Sequence, residues 1–213
     1  METPAGTPSP STYGIGARVS LYPMSDDYID IITGALADAA PHAEGLEFST
    51  GVVSTFVGGD ESRLVAWLAA LIGAATRRAE GAHLAVSILL SRGCPGEVTC
   101  ELRSGPWVSD SPLGAHAVGV AGTAEWSLYP LLDADTAASG PIQHMEPILA
   151  AIEAARASGL HAGSDHYVTR LRGDVGSILA LVAQAWRDTG ALVQHVTSHV
   201  QISINSPSES RPS

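Results

Sequence analysis

The chain has 213 residues, of which 45% are hydrophobic and only 15% charged, a composition that fits a packed globular protein and excludes a disordered one. Its 22 acidic residues outweigh 11 basic ones, all of them arginine, and a formal charge of −11 argues against nucleic acid as a partner. The first twenty residues lack a signal-like apolar core and no apolar run is long enough to span a bilayer, so a soluble cytoplasmic protein with no membrane association is expected.

The first element is a strand ending at Ser20-Leu21-Tyr22-Pro23. Proline cannot donate into a strand ladder and ends it there. A helix follows, with Tyr28, Ile31, Ile32, Ala35, Leu36 and Ala39 on one face. An extended stretch then reaches Thr55-Phe56-Val57-Gly58-Gly59, and Asp60 is placed to cap a second helix carrying Leu64, Leu68, Leu71, Ile72 and Ala75. After Gly81 and His83, Leu84, Val86, Ile88 and Leu90 alternate as a strand that ends near Pro95.

The same order then returns. Ser127-Leu128-Tyr129-Pro130 closes a strand, and Met145, Ile148, Leu149, Ile152 and Ala155 mark a helix stopped at Gly159. Thr169-Arg170-Leu171-Arg172-Gly173-Asp174 repeats the strand-to-cap passage before a helix with Ile178, Leu181, Val182, Ala185 and Trp186, ending near Gly190. His195 precedes a last strand that alternates Val196, Ser198, Val200 and Ile202. The chain is therefore an internal duplication, with the extra residues of the second copy placed in the loop Asp133 to Gln143.

Each copy reads β-α-β-β-α-β, which predicts an α+β fold of tandem ferredoxin-like repeats, each a four-stranded antiparallel sheet with its helices on one face. The boundaries are residues 14–96 for the first repeat, 97–120 for a linker and 121–207 for the second. One sheet face of each repeat is left bare, to be covered by the other repeat or by a second chain, so a pseudo-symmetric pair or a dimer is expected.

Tyr22 and Tyr129 are the leading candidates for ligand contact. A tyrosine at a strand end can present an aromatic face to a flat heteroaromatic or cationic ring, a contact worth about 0.5–2 kcal/mol. The structural alternative is a core tyrosine with a satisfied hydroxyl. Small polar residues on the middle strands, Ser49, Thr50, Ser54 and Thr55 in one copy and Ser164, Asp165, His166 and Thr169 in the other, offer donors and acceptors for a ring edge, or are simply outward positions of half-exposed strands. Cys94 and Cys100 have no zinc or redox spacing. His195 and His199 alternate along a strand rather than lining a helix, so no metal site is expected. Nucleophile elbow, phosphate loop and dinucleotide fingerprint are all missing, and no catalytic residue or cofactor is assigned.

Taken in order, Ser20-Leu21-Tyr22-Pro23-Met24-Ser25-Asp26-Asp27, Gly93-Cys94-Pro95-Gly96, Leu128-Tyr129-Pro130, His166-Tyr167 with Gly173-Asp174, and Asn205-Ser206-Pro207-Ser208 resemble the YkoF family of thiamin- and hydroxymethylpyrimidine-binding proteins, across about Gly16 to Pro207. The resemblance implies tandem ferredoxin-like (ACT-like) repeats that dimerise and bind thiamin in each repeat, in clefts between sheet and helices, in support of uptake or salvage of the pyrimidine and with a transporter or salvage protein as partner. Matched by motif, it assigns ligand contacts to Tyr22, Met24, Ser49, Thr50 and Cys94 in the first repeat, and to Tyr129, His166, Tyr167, Thr169 and Asn205 in the second. Leu131 stands where the second motif would carry methionine, so the two sites are expected to differ. The rival readings are a thiol-dependent enzyme acting on a pyrimidine precursor through Cys94 and an ACT-like regulatory module.

Overall fold

A computed structural model describes residues 13–93, 113–114, 117–131 and 145–208. The first repeat comprises β1 (Gly16–Pro23), α1 (Tyr28–Ala39), β2 (Glu47–Thr50), β3 (Thr55–Gly58), α2 (Glu61–Arg78) and β4 (Leu84–Arg92). The second comprises β5 (Ala121–Leu131), α3 (Met145–Ala157), β6 (His161–Asp165), β7 (Val168–Asp174), α4 (Val175–Gly190) and β8 (His195–Ile204). Both are ferredoxin-like βαββαβ units with wholly antiparallel pairing.

The units do not cover each other's bare faces. They join edge to edge, β4 against β8, into one eight-stranded sheet ordered β2-β3-β1-β4-β8-β5-β7-β6. Left alone, β4 would expose a nine-residue ladder of unpaired amides and carbonyls, and β8 satisfies it. Ile88 and Val200 hold the same place in their repeats and pair with each other, so a local two-fold axis passes between them.

Alternation decides what each side of the sheet carries. Leu84, Val86, Ile88 and Leu90 of β4 and Val196, Ser198, Val200 and Ile202 of β8 are buried, as are Ala17 and Val19 of β1. These positions meet α2 and α4, which touch each other across the β4–β8 seam, in a core continuous through both repeats. The expected faces of α2 and α4 are the buried ones, with Trp67 and Trp186 at their centres. In α3 the buried line runs instead through Pro147, Ala151 and Ala155, leaving Met145 and Leu149 exposed.

Two details repeat in both halves. Asp60 caps α2 by accepting from the Ser62 and Arg63 amides, and Asp174 caps α4 through Ser177. Asp174 also accepts from the amides of Val118, Gly119 and Val120, which fastens the entry to β5. On the helix-free side, Ser20 donates its hydroxyl to the Val53 carbonyl and Ser127 donates to the Tyr167 carbonyl, both at 2.9 Å. Each first strand thus holds the tip of its own β-hairpin by the same bond. Among the described residues no helix is long and apolar enough to cross a membrane.

Candidate functional site

Tyr22 is the penultimate residue of β1, paired with Ala85, and pleating sends it to the face that the helices leave open. It is 47% exposed, and Tyr129, paired with Thr197 at the matching place in β5, is 48% exposed. Neither is locked in solid packing.

Beside Tyr22 the helix-free face dips into a hollow of about 350 Å³, a size suited to a small heteroaromatic ligand. Its floor crosses the seam. Along one row, Ser87, Gln201 and Glu125 stand next to one another on β4, β8 and β5; along the next stand Tyr22, Ala85, Ser203 and Thr123, on β1, β4, β8 and β5. The lining therefore combines an aromatic rim, three hydroxyls, an amide and a carboxylate. His83 sits at the rim with Nε2 2.9 Å from Ser203 Oγ, and its carbonyl accepts from the Met24 amide at 2.8 Å. Ser87 Oγ lies 3.3 Å from His199 Nε2. Arg170 and Arg172 pair with Glu125 and Thr123 from the outer strand β7 and do not line the hollow.

Chemically, such a surface can stack an aromatic ring on Tyr22, accept an amine or cation at Glu125, and both donate to and accept from a ring edge at Gln201. Among the described residues no group of histidines and carboxylates is placed to hold a metal ion.

The residues assigned from the sequence are more scattered. Met24 is exposed just beyond Tyr22. Ser49 and Thr50 lie on the edge strand β2, where the Thr50 hydroxyl is 3.2 Å from that of Thr55, away from the hollow. His166 and Tyr167 form the tip of the β6–β7 hairpin, where Tyr167 is 95% exposed with φ 65°. Thr169 is buried on the helix-covered side. Asn205 follows β8 with φ 57°, and Gly93 holds the matching place after β4 with φ 77°, so asparagine there answers a left-handed backbone requirement. Cys94 lies outside the described residues.

Sequence reading missed Ser87, Glu125, Gln201 and Ser203, and took His83 for a strand-entry residue rather than a ligand contact. The period-two pattern places all but His83 on the polar side of their strands, but only the β4–β8 pairing brings them together.

Comparison with known proteins decides the family. The model of the YKOF-related family matches residues 14–97 and again 122–209. The chain belongs to the YKOF-related family. A relative from Bacillus subtilis (strain 168), named "Putative HMP/thiamine-binding protein YkoF", is 28% identical over 198 residues, covering 91% of each chain. The double match of this YKOF-related chain follows the same duplication that the sheet displays in its two halves.

Proposed function

We propose that this protein binds thiamin or its hydroxymethylpyrimidine moiety in the Tyr22 hollow, without converting it, in support of uptake or salvage. One observation carries the reading: a hollow of about 350 Å³ that sets an aromatic rim beside Glu125, Gln201, Ser87 and Ser203. An aminopyrimidine needs a stacking face, an acceptor for its exocyclic amine and a mixed donor–acceptor for its ring nitrogens, and thiamin adds a cationic thiazolium that a carboxylate favours. The relative named for HMP and thiamine binding supports the same choice of ligand.

The proposal extends to a homodimer in which a second copy covers the helix-free face. Supporting it, Tyr22, Leu89, Tyr129 and Leu131 are exposed on that face, a spread of apolar surface that burial would stabilise. Isothermal titration with thiamin and with hydroxymethylpyrimidine tests the binding. Saturable heat with the ligand recovered unchanged is expected, and Tyr22→Ala should weaken affinity by about 2- to 30-fold. No heat with either compound, or a converted product, contradicts the reading.

A further inference from the structure

Two of the hydroxyls that line the Tyr22 hollow are each bonded to a histidine of the other repeat. Ser203 Oγ lies 2.9 Å from His83 Nε2, and Ser87 Oγ lies 3.3 Å from His199 Nε2, with all four side chains half-buried. Both bonds cross the β4–β8 seam. Ser87 and His199 directly precede Ile88 and Val200, so they hold the same place in their repeats and meet across the local two-fold axis.

Such a pair decides what its hydroxyl can offer a ligand. A serine hydroxyl has one proton and two lone pairs, and a neutral imidazole has one N–H and one bare nitrogen. Against a bare Nε2 the serine gives its proton to the histidine and presents only lone pairs to the hollow. Against an Nε2–H it accepts, and its own proton is free for the ligand. Neutral imidazole takes either tautomer, so both roles are open. An imidazolium donates from both nitrogens, which closes the acceptor role and adds a positive charge at the rim.

Histidine is the side chain that ordinarily changes charge between about pH 5 and 8, while carboxylates, guanidinium groups and phenols keep theirs. On the shared face those constant groups are Tyr22, Glu125, Arg170 and Arg172 of β7, and Arg18 of β1 across Leu89. Asp26 and Asp27 follow in the turn after Met24, whose amide donates to the His83 carbonyl. Two further histidines stand off from the hollow. His195 pairs with Leu131 at the other end of β8, and His166 neighbours Tyr167 on the hairpin tip that Ser127 holds.

We propose that His83 and His199 are positioning residues that set the hydrogen-bond polarity of Ser203 and Ser87, so that protonating them turns the hollow from a site for a cationic aminopyrimidine into one for a neutral one. The proposal rests on the aminopyrimidine reading above. Thiamin brings a thiazolium charge, which imidazolium opposes and which Glu125 alone then favours at close range. Hydroxymethylpyrimidine carries no charge, and its ring nitrogens accept from hydroxyls that can only donate. The ratio of thiamin affinity to hydroxymethylpyrimidine affinity therefore falls as pH falls through the histidine range. A bound cation favours the neutral imidazoles, so thiamin displaces protons from the protein in that range.

Isothermal titration of the whole protein at about pH 8 and about pH 6, in two buffers of different ionisation enthalpy, tests this, with thermal unfolding as the check on folding. The affinity ratio should drop by about fivefold or more between the two, with net proton release on thiamin binding at the lower pH. In the double variant His83→Gln with His199→Gln, each serine keeps a neutral partner; proton release should vanish and the ratio should hold within about twofold. His83→Ala, which leaves Ser203 without that partner, should weaken both ligands more than His83→Gln does. A parent whose ratio stays within about twofold and releases no protons overturns the proposal, as does a fall that persists in the double glutamine variant; either leaves aminopyrimidine binding intact. Failure of both pyrimidines to bind the parent at either pH sinks the underlying reading and this one with it.

Discussion

Arg92 and Glu61 form an ion pair of 2.6 Å with side-chain exposures of 3% and 0%, and Arg92 also lies 5.4 Å from the Trp186 ring centre. Burial pushes the Arg92 guanidinium below its usual pKa, with Glu61 opposing and Arg187 adding to the shift. At the matching places in the second repeat stand Val175 and Ile204, both buried, so the duplication holds a charged and an apolar solution to one packing problem. Removing one partner of a buried pair costs about 3–5 kcal/mol, whereas an apolar replacement of both is often neutral. Urea unfolding should therefore find Glu61→Val and Arg92→Ile each strongly destabilising, and the double variant close to the parent. At Gly93 a Cβ would collide with the Gln194 carbonyl, so Gly93→Ala should lower the melting temperature sharply, while Asn205→Gly, at the equivalent left-handed position, should be tolerated. Burial pushes the Asp174 carboxyl up, but amides of Val118, Ser177, Gly119 and Val120 outweigh it and hold its pKa below the usual value. A depressed carboxylate stabilises the fold above its unfolded pKa and loses that contribution as pH falls through the folded one. Acid unfolding should accordingly begin from a lower stability, and be less steep below about pH 4, in Asp174→Ala than in the parent.

Elements were legible where the signal was local. The Asp60 and Asp174 caps, the apolar faces of α2 and α4, and the alternation of β4 and β8 stand where residue spacing puts them. Periodicity was less informative for α3, because small alanines define its buried line while larger Met145 and Leu149 face outward. What no period could supply was the partner of each outer strand. Alternation tells which face a side chain takes, not which strand lies beside it, and Glu125, Gln201 and Ser87 converge only because β4 pairs with β8. The same seam yields an element-scale prediction. Residues 1–96 produced alone should self-associate through the exposed β4 edge during size-exclusion chromatography. A stable monomeric half would mean that the seam contributes little.

At the scale of the molecule, edge-to-edge fusion places α1 to α4 on one side and turns the two bare faces into one continuous surface. The resemblance implied clefts between sheet and helices, whereas Tyr22 and its hollow open on the side away from them. A second copy laid over this surface would enclose the hollow and dry the contacts around Glu125. Sedimentation should show a dimer that Tyr129→Glu or Leu89→Glu weakens by burying an unpaired charge. The most direct measurement is a crystal structure with thiamin bound. The pyrimidine ring is expected against Tyr22, its amino edge within hydrogen-bonding distance of Glu125 or Gln201. Thiamin lodged between sheet and helices, with both tyrosines untouched, would contradict it.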